Sequence, residues 1–213
     1  MAVEMLDLEK QFAFYAAYHS NKINILIHTL FVWPIILTVM FLIAFSKPIV
    51  PSPQFFEILP QAQYMVLNWS FVFTTVYVVY YVLLDRKAGL LAGAMCIACW
   101  IGSNAFAKHV PFSLGWKIVL CVQLICWMGQ LVGHFVFERR APAFLDNFFQ
   151  AFLMGPYFVL LEVLQTVFHY EPYPGFKKNV RAKVRENLAR HNEDMLCSSK
   201  SSDQGLPFGS ISK

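Results

Sequence analysis

The sequence has little charge for its length. Only 14% of its 213 residues are charged, whereas 57% are hydrophobic, and ordinary soluble domains carry roughly 25% charged residues. So few charged side chains cannot cover the surface of a water-soluble fold of this size. The composition therefore excludes an ordinary soluble domain and favours a membrane protein.

The positive charge is also too small and too local for a nucleic-acid-binding protein. The net charge is +4, and the basic residues are densest near the C-terminus. Anionic lipid headgroups explain such a cluster better than a phosphate backbone does. We therefore expect a lipid bilayer, and no nucleic acid, as the partner of this segment.

Several signatures of catalysis are missing. The sequence contains no glycine-rich phosphate loop, no Gly-x-Ser-x-Gly elbow, no His-Glu-x-x-His zinc pair and no His-x-x-x-His pair. The last pattern is typical of membrane di-iron hydroxylases and desaturases. Among the five cysteines, Cys96 and Cys99 have a Cys-x-x-Cys spacing inside an apolar run, with no second pair nearby. They are interpreted as buried free thiols.

Long apolar runs are what the sequence does contain. About 20 helical residues cross a hydrocarbon core of roughly 30 Å. We predict an all-α, polytopic transmembrane helical bundle with four spans, over residues 25–45, 64–84, 88–107 and 118–137.

A fifth apolar run, over residues 148–168, fits a simple span less well. It carries Gln150, Glu162 and Gln165, and Gly155-Pro156 interrupts it. We expect this segment to be re-entrant or to lie along the interface. The alternative is a helix with a simple kink at Gly155-Pro156, which transmembrane helices tolerate.

The basic residues set the expected orientation, because positive charge concentrates on the cytoplasmic side of short loops. The densest basic cluster is in the tail: Lys177, Lys178, Arg181, Lys183, Arg185 and Arg190. If this basic cluster and the amino terminus are both cytoplasmic, the chain must cross the membrane an even number of times. Acidic residues precede the first run, so we expect no cleavable signal. We predict cytoplasmic termini, a membrane-embedded catalytic domain over 1–170, and a basic cytoplasmic tail over 171–213, disordered at its end.

Three histidines lie at the ends of the apolar runs. His19 and His28 lead into the first run, and His134 closes the fourth, with Glu138 four residues later. Ionisable groups near hydrocarbon are costly without a partner or a function, and imidazole is the commonest side-chain ligand of transition metals. The predicted topology places these groups at the cytoplasmic face and His109 at the opposite one. A metal site is one interpretation, and hydrogen bonding to headgroups or neighbouring helices is the other.

Helical spacing suggests partners for these histidines, because residues four apart share a helix face. The pairs with this spacing are Tyr15 and His19, Asn24 and His28, and His134 and Glu138. A ligand histidine usually has its second ring nitrogen held by another group. We expect the Tyr15 hydroxyl to reach His19 and Asn24 to fix His28. Glu138 either orients His134 or binds the metal itself.

A break in the helix is needed to bring the first two histidines together. His19 and His28 are nine residues apart, which is half a turn out of register in an unbroken helix. Ser20 and Asn21 have short polar side chains that favour turns and caps. We therefore predict a break near Ser20-Asn21.

The predicted topology also gives positions for other ionisable groups. With a re-entrant fifth segment, Asp146 and His169 also lie near the cytoplasmic face. His169 and His191 are interpreted as surface groups.

Two other classes of function are alternatives. A transporter or channel with a histidine proton relay predicts ionisable residues along the helix middles, yet segments 35–45 and 114–126 contain only Lys117. A structural adaptor predicts a protein free of metal.

Two multi-residue signatures resemble the yeast 2-hydroxy fatty acid dioxygenase family. The opening one is Leu6-Asp7-Leu8, then Phe14-Tyr15-Ala16-Ala17-Tyr18-His19-Ser20-Asn21, Asn24 and Ile27-His28. Gly89-Leu90-Leu91-Ala92-Gly93 is similar to its middle. The second signature runs from Trp127 to Ala143 through His134 and Glu138, and continues through Asp146-Asn147, Gln150, Pro156-Tyr157-Phe158 and Glu162. The resemblance extends from about Leu6 to Leu164.

This resemblance implies a multi-pass enzyme of the endoplasmic reticulum membrane that requires Fe(II). Its reaction is the α-oxidation of long-chain 2-hydroxy fatty acids by dioxygen, which removes one carbon during phytosphingosine breakdown. The matching histidines, His19, His28 and His134, are the implied iron ligands. We expect supporting residues around them, and a cation for the substrate carboxylate beside an acyl chain that lies between helices. The supporting residues are Glu138, Asn24 and Gln130, and the candidate cations are Arg139 and Arg140.

Overall fold

The computed structural model of the protein describes residues 5–142, 148–187 and 189, without the side chains of residues 148–150. Within these residues the regular structure is helical, as predicted. The helices are α1 (Leu8–Tyr18), α2 (Lys22–Ala44), α3 (Trp69–Leu84), α4 (Arg86–His109), α5 (Phe112–Val132), α6 (Phe148–Val167) and α7 (residues 176–187). Two short 3₁₀ segments, Gln54–Ile58 and Ala62–Tyr64, lie between α2 and α3, and a π-helical turn, Gly133–Glu138, extends α5.

Among the described residues, three helices are long and apolar enough to cross a membrane: Lys22–Ala44, Arg86–His109 and Phe112–Glu138, with mean hydropathies of 2.3, 1.6 and 1.7. The expected span over 64–84 is wrong at its start, because Asn68 caps α3 and the helix begins at Trp69. Its 16 residues cover only about 24 Å. Four spans therefore remain a prediction.

The fifth apolar run forms one continuous helix, so the interruption expected at Gly155-Pro156 is wrong. Pro156 lies inside α6, where its missing N–H leaves the carbonyl of Phe152 without its helical partner. The Tyr77 hydroxyl donates to that carbonyl at 2.9 Å, and the Tyr81 hydroxyl donates to the Leu153 carbonyl at 2.9 Å. These tyrosines of α3 satisfy the carbonyls and let the helix continue. The re-entrant or interfacial placement of α6 stays a prediction.

Glycines set the closest approach between α2 and α5. A Cβ at Gly129 would overlap the Phe31 ring, and one at Gly133 would overlap the Asn24 side-chain oxygen. Small residues four apart allow two membrane helices to pack at short range. This packing brings the start of α2, which carries His28, against the end of α5, which leads into His134.

The first part of the predicted tail packs on the bundle. Glu9 of α1 accepts a hydrogen bond from Tyr173 and pairs with Lys183 at 3.0 Å, and the Tyr173 hydrogen bond holds the pKa of Glu9 below its usual value. Phe176 and Val180 are buried in the core. The domain boundary after residue 170 stays a prediction, and the expected disorder at the chain's end lies outside the described residues.

We predict that Tyr77→Phe destabilises the protein, because it removes the hydrogen bond that the Tyr77 hydroxyl donates to the Phe152 carbonyl. The expected loss is about 1–3 kcal/mol in the free energy of unfolding. In a Pro156→Ala background the restored backbone N–H takes over the carbonyl, so the same substitution costs less there. A double-mutant cycle of thermal unfolding in detergent measures this coupling, and equal costs in both backgrounds contradict it.

Candidate metal centre

The turn between α1 and α2 brings two histidines together. Helix α1 ends at Tyr18, His19 follows as its C-cap, and the Asn21 side chain caps α2 by accepting the Ile23 N–H at 2.8 Å. The break predicted near Ser20-Asn21 is therefore confirmed. Because of this break, the ring centroids of His19 and His28 lie 4.4 Å apart.

The third histidine comes from the π-helical turn at the end of α5. The His134 ring centroid lies 5.0 Å from that of His19 and 4.8 Å from that of His28. The three ring planes are steeply inclined to one another, at 70° to 79°. One nitrogen from each ring lies within 4.8 Å of the other two. Three imidazoles thus converge on a single centre.

Backbone carbonyls fix the ring orientation of the first two histidines. His19 Nδ1 lies 2.8 Å from the Tyr15 carbonyl, and His28 Nδ1 lies 3.0 Å from the Asn24 carbonyl. Since a carbonyl only accepts, each Nδ1 carries the hydrogen and each Nε2 keeps its lone pair for a ligand. Asn24 therefore fixes His28 as expected, through its backbone carbonyl. The expected contact of the Tyr15 hydroxyl with His19 is wrong, because the Tyr15 backbone carbonyl makes this bond instead.

The three rings are shielded from water and incompletely hydrogen bonded. His19, His28 and His134 are only 7%, 5% and 4% exposed. His19 Nε2 and His134 Nδ1 are buried without a hydrogen-bond partner in the described part of the chain. Burial, together with the neighbouring His28, holds the pKa of His19 well below its usual value, so its ring is neutral. Neutral, unpartnered imidazole nitrogens around one point are suited to a divalent transition metal.

Glu138 holds the turn that carries the first two histidines. Its carboxylate accepts the Ser20 backbone N–H at 2.7 Å, the Ser20 hydroxyl at 2.5 Å and the Asn21 N–H at 2.9 Å. The Asn24 amide donates to it at 3.3 Å. Helical spacing predicts a contact of Glu138 with His134 or with the metal. No local pattern indicates the contacts of Glu138 with Ser20 and Asn21, which lie more than 100 residues away along the chain.

Neither arginine proposed to bind a carboxylate lies in the site. The Arg140 guanidinium stacks 3.8 Å above the Tyr18 ring and donates to the Ala17 carbonyl at 3.1 Å. Arg139 is exposed, with a left-handed backbone at φ 53°. Both arginines are absent from the lining of the cavity that contains the histidines.

An apolar groove leads away from the three histidines, between α2, α5 and α6. Its empty volume, open mouth included, is about 890 Å³. The side chains that form its apolar wall include Val32, Ile35, Ile36, Trp127, Phe152 and Val159. Apart from the histidines, its polar lining consists of Tyr15 and Gln130 among the described residues. Burial raises the pKa of the Tyr15 phenol well above its usual value, so the hydroxyl keeps its proton.

The remaining ionisable candidates lie elsewhere or are not described. His109 is exposed at the other end of the bundle, where its Nε2 lies 3.0 Å from the Tyr64 hydroxyl. His169 is exposed beyond the end of α6. Asp146 and His191 lie outside the described residues.

Comparison with known proteins gives one family and one curated relative. The model of a family described as "2-hydroxy-palmitic acid dioxygenase Mpo1-like" matches residues 5–167. The 2-hydroxy-palmitic acid dioxygenase MPO1 of Saccharomyces cerevisiae is 30% identical over 188 residues, covering 88% of this chain and 93% of the yeast protein. No solved structure matches the chain significantly.

We predict that His19→Ala, His28→Ala and His134→Ala each lose a bound divalent metal while the protein stays folded in detergent. Each substitution removes one of three ligands, whereas His109→Ala keeps all three. The measurement is metal content after anaerobic loading with Fe(II), together with the helical circular dichroism signal. If folded His134→Ala protein keeps its full metal content, His134 is not a metal ligand.

We also predict that Glu138→Gln weakens metal affinity by about 10-fold or more, the scale of losing a supporting contact. The amide keeps the side chain's size but loses the charge that the Ser20 and Asn21 N–H groups face. Competition with a chelator of known affinity measures the change. Glu57→Gln, an exposed carboxylate of the Gln54–Ile58 segment, is the control, and equal affinities of the two variants refute this role.

Proposed function

The chain belongs to the Mpo1-like family, and from this premise we propose that it is an Fe(II)-dependent dioxygenase of long-chain 2-hydroxy fatty acids. The proposed product is the acid that is one carbon shorter. The relative's name supplies the substrate class, 2-hydroxy-palmitic acid. The chain length that this protein prefers is part of what turnover measurements would establish.

One observation carries the proposal: three buried histidines converge at the head of an apolar groove. A 2-hydroxy fatty acid has the complementary shape, because its carboxylate and hydroxyl are adjacent at one end of a hydrocarbon chain. The polar end fits beside the histidines and the acyl chain fits between α2, α5 and α6. Pockets of this kind combine an apolar wall with a few converging polar groups.

His19, His28 and His134 are the residues that would hold iron. Three protein ligands leave positions for a 2-hydroxy carboxylate and for dioxygen, as in non-haem iron oxygenases. When bound, Fe(II) supplies Lewis acidity toward the substrate oxygens and the electron transfer that dioxygen chemistry requires. Imidazole donors also suit zinc, copper and nickel, and the oxidative reaction of the family favours iron among them.

The proposed reaction balances without an external reductant: RCH(OH)COOH + O₂ → RCOOH + CO₂ + H₂O. The bond between C1 and C2 breaks, C1 leaves as carbon dioxide, and C2 becomes the new carboxyl carbon. The substrate supplies all four electrons that reduce dioxygen. A site without a flavin or nicotinamide partner is therefore sufficient for this chemistry.

Residues of the chain exclude water from this site and hold the metal-binding rings in position. The apolar wall of the groove excludes water from the reacting end of the substrate, and the Tyr15 and Asn24 carbonyls hold the His19 and His28 rings. Glu138 fastens the turn between those rings to the helix that carries His134. A rigid ligand set limits side reactions of a redox metal.

We place the enzyme in the endoplasmic reticulum membrane with both termini cytoplasmic, acting in phytosphingosine degradation. Three helices suited to a membrane span support the membrane location. Exposed basic residues on α7, among them Lys177, Lys178, Arg181 and Arg185, are suited to the anionic headgroups of a cytoplasmic leaflet.

The test is turnover of 2-hydroxyhexadecanoic acid by purified protein that has been loaded anaerobically with Fe(II) and then given oxygen. We expect pentadecanoic acid and carbon dioxide in equal amounts, and no product after a chelator removes the metal. Mass spectrometry of the fatty acids measures the outcome, with His134→Ala protein as the inactive control.

Failure of this test would be informative. Bound iron without product across a series of chain lengths refutes this substrate class. A folded protein that binds no iron refutes the enzyme and favours the transporter or adaptor, neither of which needs a metal.

A further inference from the structure

The groove lacks the cation that sequence analysis assigned to the substrate carboxylate. Arg140 stacks on Tyr18, Arg139 is exposed, and neither lines the groove. Among the described residues, the polar side chains of its lining other than the metal ligands are Tyr15 and Gln130. Within the described lining, the groups that can recognise a carboxylate are therefore the metal and neutral donors.

Tyr15 has a donor with no partner in the described part of the chain. Its side chain is 7% exposed, and its hydroxyl oxygen is buried without a hydrogen bond to any described residue. A phenol O–H that is both unpaired and out of reach of water is destabilising unless a ligand satisfies it. The Gln130 side chain is only half-buried, and it is not among the enclosed polar groups that lack a partner.

The position of Tyr15 directs this donor to the metal centre. Its ring stacks on the His19 ring, with centroids 4.1 Å apart and planes 17° apart. His19 turns Nδ1 back to the Tyr15 carbonyl, so its ligand nitrogen Nε2 points away from the α1 backbone. The Tyr15 hydroxyl, at the tip of the parallel ring, points away from the same backbone. Both groups thus point away from the α1 backbone, and both residues line the same groove.

We propose that Tyr15 is a substrate-binding residue whose hydroxyl donates a hydrogen bond to the carboxylate of the 2-hydroxy acid. This inference rests on the proposed function, since it names a group that recognises that substrate. A hydrogen bond from a neutral donor to a carboxylate is short and strong in a water-excluded site. Together with metal chelation it fixes which end of the amphiphile enters the groove first.

The experiment compares two ligands that differ only in the carboxylate. Calorimetry without oxygen measures the affinity of Fe(II)-loaded protein for 2-hydroxyhexadecanoic acid and for 1,2-hexadecanediol. We expect Tyr15→Phe to bind the acid about 10- to 100-fold more weakly than the wild type, the cost of losing a hydrogen bond to a charged group. The affinity for the diol and the iron content should not change. Tyr64→Phe, which removes a hydroxyl at the other end of the bundle, is the matched control.

Each other outcome overturns the inference in a distinct way. Equal affinity of wild type and Tyr15→Phe for the acid shows that the hydroxyl does not bind the carboxylate. Equal weakening for acid and diol, or loss of iron, shows that Tyr15 shapes the site instead. A wild-type protein that holds iron and binds neither ligand refutes the proposed function itself, and the inference with it.

Discussion

The hydrogen bonds between Glu138 and the turn after α1 are the constraint on which the site depends. The carboxylate accepts two backbone N–H groups, from Ser20 and Asn21, at the point where the chain leaves α1 and starts α2. This anchor holds the turn that lets His19 face His28 against the π-helical turn that carries His134. The Asn21 amide, which donates to the Phe137 carbonyl at 3.2 Å, and Arg140, which donates to the Ala17 carbonyl, add two further links. Glu138 contributes the charge-assisted bonds among these contacts, which are stronger than bonds between neutral groups.

The need to hydrogen-bond backbone groups in an apolar medium explains how the helices around the site are arranged. Pro156 removes a hydrogen bond in α6, and Tyr77 of α3 supplies a substitute to the Phe152 carbonyl. An unsatisfied carbonyl is more costly in hydrocarbon than in water, so this contact is needed for the helix to continue. Glycines at 129 and 133 let α5 lie close against α2. The Tyr77 hydrogen bond and the two glycines together place three helices around one apolar groove.

The site divides into a polar end and an apolar groove, and the proposed chemistry needs both. The histidine nitrogens converge where the groove ends, and Tyr15 lies beside them with its hydroxyl unpaired among the described residues. In the proposed complex, the metal and neutral donors recognise the carboxylate, because Arg140 is held on the Tyr18 ring and does not line the groove. A neutral, enclosed site lowers the cost of moving an acyl chain in from the bilayer, and the metal would supply the charge that binds the carboxylate.

The sequence by itself determined the helical class, three apolar helices and the break after α1, because apolar runs and cap residues act over a few neighbours. It singled out the three histidines by their places at the ends of these runs. It placed the start of α3 and the continuity of α6 wrongly, since Asn68 capping and the Tyr77 contact override local composition. Only the tertiary structure decided that Glu138 holds the Ser20–Asn21 turn and that no described residue pairs with the Tyr15 hydroxyl. Both outcomes depend on which side chains meet across distant parts of the chain, and no local pattern encodes such a meeting.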